Sequence, residues 1–295
     1  MKIYILPIKE KFQPKSQRNR FPKHNKDFGV EQDFYNYLLK GDMLVNNPQE
    51  ADWHYVPVFW TRWHVNHDFG EKGLGELQEE INRVILNGEK TFTICQYANG
   101  PLVDLKKTKL FLSSRMNSNG FDIPLLSTSH KKMKVNKKYL ASFIGKFDAH
   151  SIRQEIADLL KDRKDISIID IGKNKRSIWN RVFPNRYTYT FVKNILQSYI
   201  SLCPRGYGGD SFRSYESMQL GVVPFFIGDI DTRPFKRFIN WDEISFYTDN
   251  ADDVAKIINS VGKEELILMG EKSKKVYEEK LAYGKWCPFV IKELL

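Results

Sequence analysis

The stretch Ser201–Asp229, SLCPRGYGGDSFRSYESMQLGVVPFFIGD, holds the densest group of structural signals in this chain of 295 residues. The apolar run Tyr199–Cys203 predicts a strand, which enters a glycine-rich loop. Residues Ser211–Leu220 then predict a helix, and Val222–Ile227 predicts a second strand. Strand, loop, helix and strand in this order are typical of a parallel sheet covered by helices.

The same alternation of strands and helices runs through the rest of the chain. The other predicted strands are Lys2–Leu6, Asp52–Trp60, Thr91–Gln96, Lys109–Ser113, Tyr139–Ile144, Ile166–Ile171 and Ile244–Tyr247. The other predicted helices are Val30–Lys40, Leu74–Leu86, Ser151–Lys161, Thr188–Ser198, Ala251–Ser260 and Glu264–Tyr283. Residues 10–29 are polar and predict a loop.

A polar, lysine-rich segment, residues 117–138, separates two runs of this alternation. A chain of 295 residues is also long enough for two domains of about 150 residues each. We therefore predict an α/β protein made of two consecutive units with a cleft between them. The first unit spans residues 1–135 and the second spans residues 136–295.

The composition excludes several classes of protein. Hydrophobic residues make up 41% and charged residues 28%, so the chain is not disordered. No run approaches the roughly 20 apolar residues that a transmembrane helix needs. The three scattered cysteines predict neither a disulfide framework nor a zinc site. We expect a cytoplasmic protein of a bacterium or of a virus-infected cell, without a transmembrane segment.

The charge balance indicates an anionic partner. Lys and Arg number 46 against 36 Asp and Glu, which gives a net charge of +10. Such a charge suits nucleic acid, an anionic membrane surface or a phosphorylated small molecule. No nucleic-acid-binding motif is visible in the sequence, so we expect no nucleic-acid partner.

The glycine-rich loop is suited to binding phosphate. Gly206, Gly208 and Gly209 allow backbone N–H groups to approach an anion closely. The helix that begins at Asp210 or Ser211 adds unpaired N–H groups and the positive end of its dipole. For the glycines alone, an ordinary tight turn before a helix is the alternative.

Four side chains around this loop favour a nucleoside diphosphate. Arg205 and Arg213 flank the turn and could hold two phosphates through forked hydrogen bonds. Ser211 could cap the helix or donate to a phosphate oxygen. Glu216 follows about one and a half turns later, where a carboxylate could accept hydrogen bonds from ribose hydroxyls.

The run CPRGYGGDSFRSYESMQLGVVPFFIGD, followed by Pro234-Phe235 and Ile239-Asn240-Trp241, resembles the signature of the exostosin-like glycosyltransferases. ADWHYVPVFW and KKYLASFIGKFDAHSIRQEIADLL resemble two further segments of that family. The resemblance extends over residues 51–247 and is most specific over residues 201–241.

The resemblance implies a GT-B type fold of two Rossmann-like domains, and we expect the C-terminal helix to pack back on the N-terminal one. It implies transfer of a sugar from a UDP-sugar to a glycan or glycoprotein acceptor, with inversion and without a catalytic metal or other cofactor. The donor-binding residues it implies are Arg205, Gly206, Gly208, Gly209, Asp210, Ser211, Phe212, Arg213, Glu216, Gly145 and Lys146. Asp229 and Asp231 are interpreted as part of a turn rather than as metal ligands.

An inverting transfer needs a general base, which we expect from the N-terminal half. The candidates are His64, His67 and Asp68, in the segment that follows the strand Asp52–Trp60. Trp63 is the candidate sugar-stacking platform, whereas Trp60 and Cys203 are interpreted as core residues. Asp148 and His150 are candidate acceptor contacts, and Asp148 or Ser151 is alternatively the cap of the following helix.

Two other functions remain open from the sequence. A catalytically inactive protein that binds sugar nucleotides would keep the donor site and lack turnover. A basic nucleic-acid-binding protein would instead use a face rich in Lys, Arg and aromatic side chains. Binding of UDP would distinguish the glycosyltransferase from a nucleic-acid-binding protein. Turnover of a UDP-sugar would distinguish it from an inactive protein that binds sugar nucleotides.

Overall fold

The computed structural model describes residues 1–17, 29–117, 119–126, 129–131, 133–172 and 185–295. Parts of the predicted loop 10–29 and of the predicted crossing 117–138 lie outside these residues. Two compact units are formed, one by residues 1–126 together with 282–295, the other by residues 127–281. The boundary therefore lies after residue 126 rather than after residue 135 as predicted, and the last residues of the chain belong to the first unit.

The first unit is built around a parallel sheet. Among the described residues its strands lie in the order β1-β2-β3-β4-β5. They are β1 (Ile3–Ile5), β2 (Trp53–Val56), β3 (Thr91–Cys95), β4 (Lys109–Leu112) and β5 (Phe121–Asp122). The helices are α1 (Val30–Lys40), α2 (Trp60–Asn66) and α3 (Leu74–Val84). The predicted α/β class is confirmed.

Aromatic side chains form much of the core of the first unit. Tyr55, Phe34 and Phe92 are fully buried, and their rings contact one another at centroid distances between 5.2 and 5.9 Å. Trp60 is also fully buried, as predicted, and its Nε1 donates to Thr93 Oγ1 at 2.9 Å. Aromatic side chains thus supply much of the core packing of this unit.

A helix at the end of the chain, α9 (Cys287–Leu294), completes the first unit. Trp286, which precedes it, is fully buried with its ring centroid 5.8 Å from that of Phe34. Its Nε1 donates to Asp33 Oδ2 at 2.8 Å, and the amide of Gly284 donates to the same oxygen at 2.7 Å. The prediction that the C-terminal helix packs on the N-terminal domain is confirmed.

The second unit has its own parallel sheet. Its strands, in the described residues, are β6 (Tyr139–Gly145), β7 (Ile166–Asp170), β8 (Ser198–Pro204), β9 (Val223–Ile227) and β10 (Phe246–Thr248). Its helices are α4 (Ser151–Leu160), α5 (Asn185–Leu196), α6 (Phe212–Leu220), α7 (Val254–Ile258) and α8 (Lys263–Val276). Alternating strand residues such as Ala141, Phe143, Ile200 and Leu202 form its core.

The strand order of the second sheet is β10-β9-β8-β6-β7. The chain leaves β6 toward β7 on one side and later returns to β8 on the other side of β6. The strand order therefore reverses between β6 and β8. In open α/β sheets, ligands bind outside the carboxyl ends of the strands at such a point.

Two predicted elements are divided differently in the structure. The predicted strand Asp52–Trp60 ends at Val56, because Pro57 has no N–H to donate to the sheet, and the helix α2 begins at Trp60. The predicted helix Glu264–Tyr283 is α8 followed by a π-helical turn, Tyr277–Leu281.

In the part of the chain that the structure describes, no helix is both long and apolar enough to cross a membrane.

Candidate functional site

The loops that follow β6 and β8 lie side by side at the point where the strand order of the second sheet reverses. β6 ends at Gly145 and β8 ends at Pro204. The guanidinium of Arg153, on α4, joins the two loops: its Nη1 donates to the carbonyl of Lys146 at 2.9 Å and its Nη2 to that of Pro204 at 3.2 Å. Its Nε donates to the carbonyl of Arg205 at 2.8 Å. The structure thus brings together the two loops that the sequence singled out, through an arginine that the sequence analysis did not select.

Arg205 places a buried positive charge at this edge of the sheet. Its side chain is 6% exposed and pairs through Nη1 with the carboxylate of Asp229. Its Nε is buried and has no hydrogen-bond partner among the described residues. The stem lies against Gly228, where an added Cβ would come within 3.2 Å of Arg205 Cβ. The guanidinium is therefore held in one place with hydrogen-bonding capacity left for an anion.

Arg213 is the second buried arginine, and it lies in the first turn of α6. Its guanidinium donates to the carbonyl of Ile144 at the end of β6, and it lies over the rings of Phe143 at 4.6 Å and Phe191 at 5.2 Å. An added Cβ on Gly145 would come within 2.9 Å of the Phe143 ring and 3.3 Å of Arg213 Nη2. Gly145 therefore leaves room for the arginine, which connects the two loops a second time.

The start of α6 is capped differently from the prediction. Ser211 occupies the N-cap position, but its side chain makes no capping hydrogen bond. The buried carboxylate of Asp210 accepts from the Ser211 amide at 2.6 Å and from Ser214 Oγ at 3.1 Å. Of the remaining predicted donor residues, Gly208 and Gly209 are buried, Gly206 and Phe212 are half-buried, and Lys146 is exposed.

Glu216, predicted to hold ribose, has a protein partner that the sequence did not indicate. Its carboxylate lies 2.8 Å from His130 Nε2, and both side chains are almost completely buried. The amide of His130 also donates to Gln219 Oε1 at 3.2 Å. His130 lies 86 residues before Glu216, in the polar segment between the two runs of alternation, so no local pattern links the two.

His150 belongs to the same loop cluster, although it was predicted to contact the acceptor. Its Nδ1 accepts from the Ile152 amide at 3.3 Å, so His150, rather than Asp148 or Ser151, caps α4. Burial lowers the pKa of His150, and the positive charge of Arg205 lowers it further. Asp148 is exposed.

The remaining acidic and thiol groups of this region include Asp231 and Cys203. Within the described ranges, no group of three or more His, Cys, Asp or Glu side chains is placed to hold a metal ion. Asp231 pairs with Arg233 at 2.8 Å and Lys236 at 2.9 Å, as expected of a turn. Burial raises the pKa of the Cys203 thiol to about 11, which keeps it a protonated core side chain.

Two of the residues selected in the first unit are core residues. His64 is fully buried, its Nε2 lies 2.9 Å from the carbonyl of Pro101, and burial lowers its pKa to about 4. It is neutral at physiological pH but enclosed, which does not fit a base that must reach a substrate. Trp63 is 2% exposed and packs on Phe12 at 4.7 Å, so the prediction that it is an exposed platform is wrong.

His67 and Asp68 are more accessible than His64, and each contacts a different partner. His67 is half-buried and stacks on Trp63 at 3.6 Å, with its Nδ1 2.8 Å from the Trp63 carbonyl. Asp68 is 45% exposed and pairs with Lys72. The next residue, Phe69, is the exposed aromatic side chain of this segment, with 52% of its surface accessible.

The turn that carries Asp68 is conformationally strained. Asp68 (φ 51°) and Phe69 (φ 59°) both lie in the left-handed region, which costs roughly 1 kcal/mol or more for each non-glycine residue. Tyr97, just after β3, donates its hydroxyl to the carbonyl of Phe69 at 2.8 Å and so helps to hold the turn. Such strain is concentrated at functional sites.

Glu31, on α1, is a buried acid that the sequence analysis did not select. Its carboxylate is fully buried and accepts from the amide and hydroxyl of Thr61 and from the amide of Gln96 at 2.9 to 3.1 Å. Burial raises its pKa to about 7, although these donors act in the opposite direction. With its oxygens used to join α1, α2 and β3, Glu31 acts as a structural acid rather than as a base for substrate.

This raised pKa predicts that the first unit loses stability as the pH rises. The folded state binds the Glu31 proton more tightly than the unfolded state does, so the stabilisation is complete below pH 4.5 and is lost by about pH 7. Between pH 5 and 7 the free energy of unfolding should fall by about 2 kcal/mol. Urea unfolding across this range should show the slope in the parent and a much smaller one in Glu31→Gln. The exposed control Glu76→Gln should keep the slope, and a slope unchanged in Glu31→Gln would contradict the assignment.

More than half of the chain matches a known protein family. A model described as the Exostosin GT47 domain matches residues 96–261, more than half of the chain. The chain belongs to the exostosin GT47 family. The match includes β4 to β10 and therefore the two loops that follow β6 and β8, where the guanidinium groups of Arg153, Arg205 and Arg213 lie. The prediction of an exostosin-like glycosyltransferase is confirmed at the level of the family.

Relatives of this exostosin-family chain are distant in sequence. Exostosin-1 of Drosophila melanogaster is 26% identical over 157 residues, which cover 49% of this chain and 20% of the fly protein. The exostosin-1 homolog of Caenorhabditis elegans is 21% identical over 317 residues, covering 94% of this chain and 80% of the worm protein. The "Probable beta-1,4-xylosyltransferase IRX10L" of Arabidopsis thaliana is 22% identical over 302 residues, covering 85% and 68% of the two chains.

Proposed function

We propose that this protein transfers a sugar from a UDP-sugar to a hydroxyl group of a glycan, with inversion at the anomeric carbon and without a metal ion. The observation that carries the proposal is the meeting of the β6 and β8 loops at the reversal of strand order, with the buried guanidinium groups of Arg205 and Arg213. Two fixed cations beside a helix N-terminus suit a diphosphate.

The leaving group of this reaction explains why two arginines are useful. When the sugar leaves the donor, negative charge develops on the departing UDP and must be stabilised in the transition state. Metal ions can supply such stabilisation. In our proposal Arg205, Arg213 and the N–H groups at the start of α6 supply it, while Glu216 accepts from the ribose. These groups are already oriented by protein contacts, so little reorganisation is needed as the charge develops.

The general base is proposed to come from the first unit. His67 is our first choice, because an Nδ1 that donates to the Trp63 carbonyl leaves Nε2 as the basic nitrogen. Asp68 is the second choice. Phe69 takes the place of Trp63 as the proposed stacking surface for the acceptor, since its ring is exposed. The identity of the donor sugar is left to a screen of UDP-linked glucuronic acid, xylose, galactose, arabinose and N-acetylglucosamine.

Calorimetric titration with UDP in the presence of EDTA tests the proposal. We expect a dissociation constant in the micromolar range for UDP and much weaker binding of uridine, because the phosphates contact the arginines. Absence of UDP binding, with or without Mg²⁺ or Mn²⁺, would overturn the proposal and direct attention to nucleic acid. UDP binding without turnover of any UDP-sugar would instead indicate an inactive sugar-nucleotide-binding protein.

A further inference from the structure

Asp229 and Arg205 form an ion pair whose two sides differ greatly in exposure. The Arg205 side chain is 6% exposed, whereas that of Asp229 is 60% exposed. The backbone beside Asp229 is anchored to β10: the Gly228 amide donates to the Thr248 carbonyl at 3.0 Å, and the Tyr247 hydroxyl donates to the Gly228 carbonyl at 3.0 Å. The arginine is thus the enclosed side of the pair, and the carboxylate is the side that faces solvent.

This contact does not use all the hydrogen-bonding capacity of the guanidinium. Asp229 contacts Nη1, while the buried Nε of Arg205 has no partner within the described part of the chain. A buried N–H group without an acceptor is unfavourable. Two oxygens of one phosphate can accept from Nε and a terminal nitrogen together, which is the geometry that guanidinium groups favour. A phosphate therefore satisfies Arg205 more completely than Asp229 does.

We propose that Asp229 is a displaceable counter-ion of the phosphate site. In this proposal, which rests on the proposed function, the diphosphate of the donor takes the place of the Asp229 carboxylate on Arg205, and the carboxylate moves into solvent. The exchange is favourable for two reasons. An exposed carboxylate loses little free energy when it leaves an ion pair, and the buried guanidinium is paired with an anion both before and after the exchange.

The same exchange in reverse assists release of the product. After transfer of the sugar, UDP occupies Arg205, and the return of Asp229 to the guanidinium competes with it. Asp229 therefore lowers the affinity of the enzyme for UDP, as it lowers the affinity for the donor. It acts as a residue that sets affinity and product release, and it does not contact the reacting atoms.

The test compares two variants that change the charge equally. Asp229→Asn removes the competing anion from Arg205, and Asp231→Asn removes a negative charge two residues away that pairs with Arg233 and Lys236. Calorimetry with UDP and with inorganic pyrophosphate gives the affinities, and thermal unfolding shows that the variants are folded. Asp229→Ala serves as a second variant that cannot form the pair at all.

We expect Asp229→Asn and Asp229→Ala to bind UDP and pyrophosphate about fivefold more tightly than the parent does, and Asp231→Asn to change the affinity less than twofold. Equal tightening by Asp231→Asn would mean a general charge effect and would overturn the proposal. Weaker binding by Asp229→Asn would overturn it as well, because Asp229 would then orient Arg205 for phosphate. If the parent binds UDP and Asp229→Asn has the same affinity, this inference is refuted and the proposed function is not. If the parent binds no UDP, both are refuted.

Discussion

Arg205→Ala is expected to weaken UDP binding by at least 100-fold. In the proposed complex, the guanidinium donates two charge-assisted hydrogen bonds to phosphate, each worth about 1.5 to 3 kcal/mol. Their loss, about 3 to 6 kcal/mol in total, corresponds to roughly a 150-fold to 25,000-fold increase in the dissociation constant. Arg205→Lys keeps the charge but loses the planar fork, so its affinity should lie between those of the parent and Arg205→Ala. Calorimetric titration with UDP measures all three.

The control for this prediction is an arginine of the same unit that pairs with an aspartate elsewhere. Arg163 pairs with Asp165 at 2.6 Å, just before β7 begins. Arg163→Ala should leave the affinity for UDP within about twofold of the parent, because Arg163 precedes β7 and so lies at the opposite end of the parallel sheet from the loops after β6 and β8. A dissociation constant for Arg205→Ala within threefold of that of the parent would remove Arg205 from the donor site. Equal losses in both variants would point to net charge rather than to a specific contact.

Gly270→Ala is expected to destabilise the second unit by about 3 kcal/mol, a cost in the upper part of the range for overpacking. Gly270 lies on α8, where that helix crosses the turn between α6 and β9. A Cβ added there would come within 2.5 Å of the carbonyl oxygen of Gly221. Because the obstacle is backbone, a rotamer change cannot relieve the contact. Gly221 itself has φ +73° at the C-terminal end of α6, so the turn cannot easily move away.

A glycine at the start of the same helix provides the control. Gly262 is the N-cap of α8, and an added Cβ there would meet nothing within 4 Å. Gly262→Ala should cost less than about 1 kcal/mol, as expected for an exposed cap. Urea unfolding followed by circular dichroism compares the two. A loss below about 0.5 kcal/mol for Gly270→Ala would show that α8 and the turn separate readily, contrary to the close approach of their backbones.

Elements defined by neighbouring residues were predictable from the sequence, whereas the burial of single side chains in a short helix was not. The strand β8, the helix α6 and the strand β9 were predicted within about a residue, because hydrophobic periodicity and turn glycines act over a few residues. The residues around Trp63 and His64 were interpreted poorly. They were selected as a stacking platform and a general base, roles that need an accessible side chain, yet α2 buries both side chains. Whether one side chain of a short helix faces the core depends on what packs against it, which periodicity over seven residues does not reveal.

By itself, then, the sequence determined the alternation of strands and helices, the family and the glycine-rich loop after β8 that begins with Arg205. Only the tertiary structure decided the partners of these residues: Arg213 with the carbonyl of Ile144, Glu216 with His130, and Arg153 with three carbonyls of two loops. The physical reason is that strand and helix periods are properties of neighbouring residues, whereas a buried polar group must find its partner wherever the packed chain brings one.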